Sequence, residues 1–396
     1  MTDPSRTPVI LSATRTPIGR FLGALATFSA PQLGAWVVRE AVRRAGVEHG
    51  AVDEVIMGHV VQGGAGQAPA RQAAMLAGLP GTIPALTINK VCGSGLKATM
   101  LAAQAIKAGD AHCVVAGGME SMSSAPYYLF GVRGGVKFGH QNLVDGVIND
   151  GLWCSFGQVH MGVHAEYTAA TACISRQEQD QFSLESQQKA AAAIDAGKFT
   201  AEIVPVEIAS RGGTTVVGVD EPPRRDTTLE GLAKLKPAFQ KDGTVTAGNA
   251  PGLNDGASAL VVASEAFAKA HGLAVLARIT GYAAGGGEPK DLFFAPIVAV
   301  RNLMANSGTT IDDYDLIEAN EAFAVQALAD GKALSWDWDR VNVHGGAVAL
   351  GHPIGASGAR VLTTLLYALA DRGKRTGLAT LCLGGGNAVA LSVERT

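Results

Sequence analysis

The sequence contains 396 residues, of which 47% are hydrophobic and 17% charged, and its formal net charge at pH 7 is −3. A chain of this length is expected to form two or three domains around a large core. The charge pattern offers no basic stripe for nucleic acid, and no apolar run approaches the roughly 18 residues of a membrane span. Any anionic ligand must therefore be held by local groups, and neither a nucleic-acid nor a membrane partner is expected.

Alternating helices and short apolar strands are predicted along the first third of the chain. Strands are expected over 8–13, 52–58, 85–89 and 113–120, with helices over 30–45, 67–77 and 96–108. This alternation indicates an α/β fold with a parallel or mixed sheet and helices on its faces.

A cysteine stands at the start of the third of these helices, in the stretch Asn89-Lys-Val-Cys92-Gly-Ser-Gly. The helix dipole and the free N–H groups at such a turn favour a thiolate, so Cys92 is a candidate nucleophile. The alternative is a buried, inert cysteine, which is common for an isolated Cys-Gly pair.

The five cysteines argue against a disulfide framework, because their number is odd and their spacing irregular. The same irregular spacing argues against a zinc site. They are Cys92, Cys113, Cys154, Cys173 and Cys382. Free thiols fit a reducing compartment, and the N-terminal residues do not have the pattern of a signal peptide; a cytoplasmic location is expected.

The segment 122–248 has a different composition, rich in Pro, Gly and charge, and is predicted to be an inserted loop-rich domain with one helix near 176–196. The chain then returns through a glycine-rich turn into a buried helix or strand of the first half, beginning near residue 245.

The last third repeats the plan of the first. Residues 313–319 parallel 52–58, residues 355–361 parallel 93–98, and residues 378–386 parallel 113–118. Three matching features in the same order indicate a duplicated α/β half. Two packed halves would bring both Gly-Ser-Gly-type turns to one interface, where pockets are favoured.

Three further groups of residues have the right chemistry for a site near this interface. His352 precedes the repeated turn and is a candidate base for a thiol; the alternative is a loop histidine bonded to backbone. Cys382 ends a strand beside glycines. Its thiol is a candidate member of a redox pair or a second catalytic group, and the alternative is that it only packs in the core. Asn320 and Glu321 follow an apolar strand, where they would orient a water or histidine, or Asn320 would cap a helix.

Taken together, these motifs resemble the signatures of thiolases in order and spacing, over essentially the whole chain. The matching stretches are Asn89-Lys-Val-Cys-Gly-Ser-Gly, Gly117-Gly-Met-Glu-Ser-Met-Ser, Asn320-Glu-Ala-Phe-Ala, Gly345-Gly-Ala-Val-Ala-Leu-Gly-His-Pro-Ile-Gly-Ala-Ser-Gly and Cys382-Leu-Gly-Gly-Gly. The similarity is greatest to the branch of the family that condenses two acetyl-CoA molecules into acetoacetyl-CoA and CoA.

The resemblance implies a five-layered α/β/α/β/α thiolase fold built from two similar halves and an inserted loop domain. The implied boundaries are 1–121 with 249–272 for the N-terminal half, 122–248 for the loop domain, and 273–396 for the C-terminal half. It also implies a homotetramer in fatty acid metabolism, with acyl-CoA and CoA as substrates and no metal or redox cofactor.

The resemblance further implies roles for individual residues. Cys92 carries the acyl group and His352 activates it, while Cys382 removes the α-proton of acetyl-CoA. His352 and a water held by Asn320 stabilise the enolate oxygen, and the backbone N–H groups of Cys92 and Gly384 stabilise the acyl-enzyme oxygen.

Substrate-binding positions follow in the same way from the resemblance. His160 lies near the thioester, and Arg224 lies along the nucleotide end of CoA unless it is simply a solvated surface arginine. The remaining positions implied for substrate or CoA binding are Leu152, Met161, Ala247, Leu253 and Phe323.

Two departures from the family pattern concern the acyl and pantetheine contacts. Pro251 stands where the family usually has serine, so a hydroxyl and an N–H are lost. Leu292, Phe293 and Phe294 replace a methionine and small residues near the acyl pocket, which either reshapes the pocket or repacks a loop.

Three alternatives to acetyl-CoA condensation remain at this point. A thiolase that acts on longer or branched 3-ketoacyl-CoA would share all of these motifs. A ketoacyl synthase shares the duplicated fold but lacks a thiol at the position of Cys382. A non-catalytic subunit that binds acyl-CoA or lipid would need neither thiol, so the intact set of Cys92, Asn320, His352 and Cys382 argues against it.

Overall fold

The computed structural model describes residues 4–210 and 212–396 and contains the predicted alternation of strands and helices. The strands are β1 Pro8–Arg15, β2 Gly19–Arg20, β3 Glu54–Gly58, β4 Ala85–Ile88, β5 Cys113–Ser121, β6 Tyr127–Tyr128, β7 Val144–Asp145, β8 Trp153–Cys154, β9 Val159–His160, β10 Val206–Ser210, β11 Gly213–Val217, β12 Asn254–Ser264, β13 Ala277–Gly286, β14 Leu316–Ala319, β15 Thr376–Leu383 and β16 Asn387–Arg395. The α-helices are α1 Ala30–Ala45, α2 Pro69–Leu76, α3 Ser94–Ala108, α4 Met161–Ala172, α5 Arg176–Asp195, α6 Leu229–Ala233, α7 Glu265–Ala270, α8 Ala295–Ser307, α9 Ala324–Leu334, α10 Ala347–Leu350 and α11 Ile354–Asp371. Short 3₁₀ turns cover Pro4–Arg6, His49–Ala51, Val132–Gly134, Pro289–Phe294 and Ile311–Asp313, and a π-helical turn covers Ile148–Leu152.

The main sheet is mixed, as the alternation predicts. Its strand order is β14-β15-β16-β13-β1-β12-β5-β3-β4. Strand β3 is parallel to β4 and β5, and β14 is parallel to β15, whereas the other pairs along this order are antiparallel. The only pairing of β1 with β13 joins Val9 and Ile10 to Arg278 and Ala277 among the described residues, so this narrow contact joins two sheet regions, one from each half.

Helices pack on both sides of these two sheet regions. Helices α3 and α11 pack against each other and contact strands of both regions, while α1 and α2 cover β3, β5 and β12 from the outside and α8 covers β13 and β16. The resulting order of helix, sheet, helix pair, sheet and helix confirms the five-layered architecture.

The duplication is visible in the connections. Helix α3 lies between the parallel strands β4 and β5 in sequence, and α11 lies between the parallel strands β14 and β15. Cys92 precedes α3 and His352 precedes α11, so the two repeated turns bring their functional side chains to the same central layer.

The chain returns from the insertion as strand β12. The sequence alone leaves open whether this segment is a helix or a strand. Strand β12 pairs with β1 on one side and β5 on the other. All of its residues are buried, which explains the run of small and branched apolar residues in its sequence.

The insertion packs on the core through a buried arginine. Arg15 of β1 donates from Nε to Glu202 at 2.5 Å and from a terminal nitrogen to Asp220 at 2.7 Å, and its side chain is fully buried.

In the described part of the chain, no helix is long and apolar enough to cross a bilayer.

Candidate active site

A cavity of about 400 Å³ lies where the two halves meet the insertion. The residues that line it come from all three parts of the chain and are mostly apolar. They are Val91, Cys92, Met122, Asp145, Val147, Ile148, Gly151, Leu152, His160, Met161, Ala238, Phe239, Thr246, Ala247, Ala250, Pro251, Gly252, Leu253, Leu292, Phe293, Ala322, Phe323, His352, Ile354, Cys382 and Gly384. Such a concave apolar space with a few convergent polar groups is typical of a small-molecule site.

Cys92 sits in a tight turn between β4 and α3. Val91 has a φ of +46°, an uncommon conformation for a β-branched residue that costs of the order of 1–3 kcal/mol. Ser94 stabilises the turn, because its Oγ lies 2.6 Å from the carbonyl oxygen of Val91 and accepts from the N–H of Lys90 at 2.8 Å. These hydrogen bonds offset the strain at Val91 and hold Cys92 at the cavity wall.

The helix start alone does not make Cys92 a thiolate. Burial raises the pKa of the Cys92 thiol to about 12, although the backbone N–H groups of Cys92 and Gly384 act in the opposite direction. The loss of solvent at the apolar cavity wall therefore raises the pKa of Cys92 by more than the N–H groups lower it. The same two N–H groups face the sulfur, where they are also available to an oxygen bonded to a carbon on that sulfur.

His352 is placed to act as a neutral base. Its Nδ1 lies 2.6 Å from Ser357 Oγ, which donates its own proton to the carbonyl oxygen of Pro353 at 3.0 Å. Ser357 Oγ therefore accepts from Nδ1–H, which leaves a lone pair on Nε2. Nε2 is buried and has no hydrogen-bond partner among the described residues. Burial lowers the pKa of His352 to about 3, with a smaller contribution from Arg360.

Asn254 fixes the main chain of the same histidine. Its Oδ1 accepts from the N–H of His352 at 2.8 Å, and its Nδ2 donates to the carbonyl oxygen of Gly19 at 2.9 Å. Asn254 is the first residue of β12, so the return strand and the start of α11 are coupled at the site.

Asn320 directly follows β14 and is fully buried beside His352. Its Nδ2 lies 3.5 Å from His352 Nδ1, and its Oδ1 has no partner in the described part of the chain. The alternative of a helix cap is wrong, because α9 begins at Ala324 and is preceded by Phe323. A buried amide oxygen without a partner is costly, and a bound water or ligand would satisfy it.

Glu321, the neighbour of Asn320, serves as a structural anchor. Its carboxylate accepts from Ser186 Oγ at 2.7 Å, from Asn342 Nδ2 at 2.8 Å and from the N–H of Val348 at 3.0 Å. These bonds join α5, α10 and the end of β14. The two polar residues that were predicted together thus have different roles. Asn320 contacts His352, whereas Glu321 holds neighbouring elements together.

Cys382 lies in β15 next to the glycine turn that contains Gly384. The residue is 1% exposed, and burial together with the nearby Cys92 raises the pKa of its thiol. Gly385 and Gly386 have φ values of +82° and +85°, which only glycine adopts without strain. Both Cys92 and Cys382 are free cysteines, and both line the cavity.

The predicted substrate-binding residues occupy two connected spaces. Leu152, His160, Met161, Ala247, Leu253 and Phe323 line the cavity, together with Pro251, Leu292 and Phe293. Arg224 lines an adjoining groove with Arg20, and this groove shares Ala247 and Leu253 with the cavity. His160 caps α4 by accepting at Nδ1 from the N–H of Gly162 at 3.1 Å, and burial lowers its pKa.

Several residues that shape the site were not predicted from the sequence. Ser357 and Asn254 orient His352, and Phe239 stacks on His160 with ring centroids 4.8 Å apart. Glu120 accepts from the N–H groups of Val60, Val61 and Gly355 at 2.9–3.2 Å. Only Ser357 had a usable signal, because it lies about one helical turn beyond His352 at the start of a predicted helix.

Comparison with known proteins gives the same picture over the whole length. Residues 8–266 match the family model "Thiolase, N-terminal domain" and residues 273–395 match "Thiolase, C-terminal domain".

Individual relatives match along nearly the full chain. An acetyl-CoA acetyltransferase of Pseudomonas aeruginosa and one of Cupriavidus necator are each 55% identical, and each alignment covers 98% of this chain and 99% of the relative. The crystal structure of the Bacillus anthracis acetyl-CoA acetyltransferase superposes with a TM-score of 0.97 at 46% identity, covering 98% of this chain and 99% of that one. The chain is an acyltransferase that belongs to the thiolase family.

Proposed function

We propose that this protein is an acetyl-CoA C-acetyltransferase, which condenses two acetyl-CoA molecules into acetoacetyl-CoA and CoA and catalyses the reverse thiolysis. The observation that carries the proposal is the convergence of Cys92, His352 and Cys382 on one cavity. The names of the relatives, which are 55% identical, support acetyl-CoA as the substrate.

In the first half-reaction, His352 Nε2 takes the proton of Cys92, and the thiolate attacks the carbonyl carbon of acetyl-CoA. The negative oxygen of the tetrahedral intermediate accepts from the N–H groups of Cys92 and Gly384, donors already in place where the charge develops. The carbon–sulfur bond to CoA breaks, and the departing thiolate takes the proton of Cys382. The products are S-acetyl-Cys92, protonated His352, a Cys382 thiolate and free CoA.

In the second half-reaction, the Cys382 thiolate removes an α-proton from a second acetyl-CoA. The enolate oxygen is stabilised by protonated His352 and by a water held at Asn320. The carbanion attacks the acetyl carbon on Cys92 and forms the new carbon–carbon bond. Cys92 leaves as a thiolate and recovers its proton from His352, so both thiols and the imidazole return to their starting states.

The experiment that tests this assignment separates acylation from α-proton removal. Intact-mass spectrometry after incubation with acetyl-CoA is expected to find one acetyl group on the wild type and none at the active site of Cys92→Ala. Cys382→Ser is expected to be acetylated, yet to exchange the α-protons of acetyl-CoA with solvent about 10²–10⁴-fold more slowly.

Cys173→Ser provides a matched control, because Cys173 is an exposed free cysteine outside the cavity lining. It is expected to behave as the wild type in both assays. Acetylation that persists in Cys92→Ala, or exchange at the normal rate in Cys382→Ser, would contradict the mechanism. A wild type that neither becomes acetylated nor cleaves acetoacetyl-CoA would contradict the proposed activity.

The other functions considered differ in measurable ways. A thiolase for longer or branched chains would cleave six- and eight-carbon 3-ketoacyl-CoA as fast as acetoacetyl-CoA. A non-catalytic subunit would bind acyl-CoA without acetylation of Cys92. The paired thiols favour the catalytic reading, because binding alone requires no buried thiol.

We further propose that the enzyme is a cytoplasmic homotetramer that takes part in fatty acid metabolism and needs no metal or redox cofactor, since CoA itself carries the acyl group. The loop domain at 122–248 would bind CoA and contribute to assembly, between an N-terminal half formed by 1–121 with 249–272 and a C-terminal half formed by 273–396. Arg224 would pair with the nucleotide end of CoA. Mass measurement in solution, with and without CoA, tests the assembly.

A further inference from the structure

Four aromatic rings form a continuous row along the cavity. His160 stacks on Phe239 at 4.8 Å, Phe239 meets Phe323 edge-on at 6.3 Å, and Phe323 meets Phe293 edge-on at 5.2 Å between ring centroids. All four residues line the cavity. We refer to His160, Phe239, Phe323 and Phe293 as the aromatic wall.

Phe293 is the end of the aromatic wall next to the reacting groups. It belongs to the same cluster of buried side chains as Cys382, Leu292 and Phe323. Its ring is 2% exposed and Leu292 is 1% exposed, so these two side chains form a closed surface beside the second thiol.

The segment that carries Phe293 is fixed in place. It forms a short 3₁₀ turn, Pro289–Phe294, and the Tyr167 hydroxyl donates to Asp291 Oδ1 at 3.0 Å. Lys290 Nζ lies 3.2 Å from Asp291 Oδ2 and over the Tyr167 ring. The hydrogen bond from Tyr167 to Asp291 ties the turn to α4, and Phe293 therefore has little freedom to move aside for a larger ligand.

The substrate enters from a different part of the lining. The groove that contains Arg224 joins the cavity through Ala247, Ala250, Gly252 and Leu253. Phe293, Leu292, Cys382 and Cys92 all line the cavity but not the groove, so a chain that enters through the shared residues passes into the compartment where Phe293 and Leu292 pack beside Cys382.

From this arrangement we propose that Phe293 determines chain length by closing the acyl end of the cavity, so that Cys92 carries a two-carbon acyl group and excludes four-carbon and longer groups. The inference rests on the proposed function and specifies its substrate class. An added methylene that lacks room is discriminated against by about 10–200-fold.

The test measures thiolysis of straight-chain 3-ketoacyl-CoA with four, six and eight carbons. The readout is the ratio of kcat/KM for six carbons to that for four. For the wild type this ratio is expected to be about 0.1 or lower. Phe293→Ala and the milder Phe293→Leu are expected to raise it at least about tenfold, with a butyryl group detected on Cys92 by intact mass.

Phe294→Ala is the matched control, because this neighbouring phenylalanine packs against the main core and against the back of the Phe293 cluster but lies outside the cavity lining. It is expected to keep the wild-type ratio. The proposal is overturned if the wild type cleaves the six-carbon substrate as well as acetoacetyl-CoA, or if folded Phe293→Leu keeps the wild-type ratio. In both cases the wild type would still be acetylated on Cys92. If the proposed function were wrong, no acetylation of Cys92 would be observed.

Discussion

The hydroxyl of Ser357 selects the tautomer of His352 that the reaction needs. Because its own proton is directed to the carbonyl oxygen of Pro353, it is placed to accept from Nδ1–H, and in that tautomer the opposite ring nitrogen keeps its lone pair. A histidine without this partner would divide between two tautomers, and only one of them can take a proton from Cys92.

Replacing this hydroxyl is expected to slow the reaction more than it destabilises the protein. Ser357→Ala leaves Nδ1 without its acceptor, a loss of about 1–3 kcal/mol that, where it falls on the transition state, corresponds to roughly fivefold to 150-fold in kcat/KM for thiolysis. Thr363→Ala is the control on the same helix, because it removes a buried hydroxyl that contacts Ser258 at 3.0 Å instead. Equal kinetic effects of the two substitutions would contradict the assignment.

The buried, neutral state of His352 makes stability depend on pH. Its pKa is lowered from 6.5 to about 3 in the folded protein, so the unfolded chain binds a proton between these values that the folded chain does not. The stability associated with this group is present above about pH 6.5 and is lost as the pH falls, by up to about 1.4 kcal/mol per pH unit.

Removing the imidazole is therefore expected to flatten the acid limb of the stability curve. His352→Asn and His352→Gln should show a smaller loss of unfolding free energy between pH 6.5 and 5 than the wild type, when measured by urea titration at each pH. All other titrating groups are common to the three proteins, so they cancel in the comparison. Identical pH slopes would mean that the folded protein charges this histidine normally.

At the scale of elements, the site depends on how closely α3 and α11 approach. A Cβ on Gly358 would lie 2.4 Å from the backbone nitrogen of Leu96, and one on Gly95 would lie 2.6 Å from that of Ala359. Backbone atoms in a packed helix pair cannot move aside separately, so the two helices must separate as units.

Gly358→Ala is expected to impair both stability and catalysis, since Cys92 precedes one helix and His352 the other. Overpacking of this kind costs about 1–3 kcal/mol or more, and the displaced helices should lower kcat/KM by at least tenfold. Gly50→Ala is the control, because a Cβ there meets open space among the described residues. Unchanged acetylation and melting temperature in Gly358→Ala would show that the interface can adjust.

The elements themselves were largely predictable, because helix and strand periods and glycine turns are local features. Helix α1 has the predicted bounds, and α3 begins two residues early, at Ser94. The protonation of Cys92 was not predictable, since it depends on walls that come from residues such as Phe293 and Ile354, which are far away in sequence. The sequence leaves open the alternative that Asn320 caps a helix, for the related reason that helix start signals do not reveal tertiary partners.

At the scale of the whole molecule, buried charge connects the insertion to the core. Arg15 is fully buried between Glu202 and Asp220, so each of these three charges depends on the others. Breaking such a group by removing one partner costs about 3–5 kcal/mol, because the remaining charges stay buried and unpaired.

Arg15→Met is accordingly expected to reduce the free energy of unfolding by about 3–5 kcal/mol and to loosen the insertion, which would raise the KM for acetyl-CoA. Arg43→Met is the matched control, because Arg43 pairs with Glu40 at 2.7 Å but its side chain is 69% exposed, and such pairs contribute at most about 1 kcal/mol. Urea titration together with steady-state kinetics checks both, and equal losses in the two variants would contradict the role of Arg15.

The position of β12 between β1 and β5 has a consequence for the order of events during synthesis. The ribosome releases β1 and β5 long before Asn254–Ser264, so the first half waits with two unpaired strand edges while the whole insertion emerges. Exposed edges of this kind invite pairing with other chains. A truncated gene product that stops before Asn254 would leave the β12-facing edges of β1 and β5 open and aggregate, whereas one that continues through Ser264 would contain the strand that covers both of these edges.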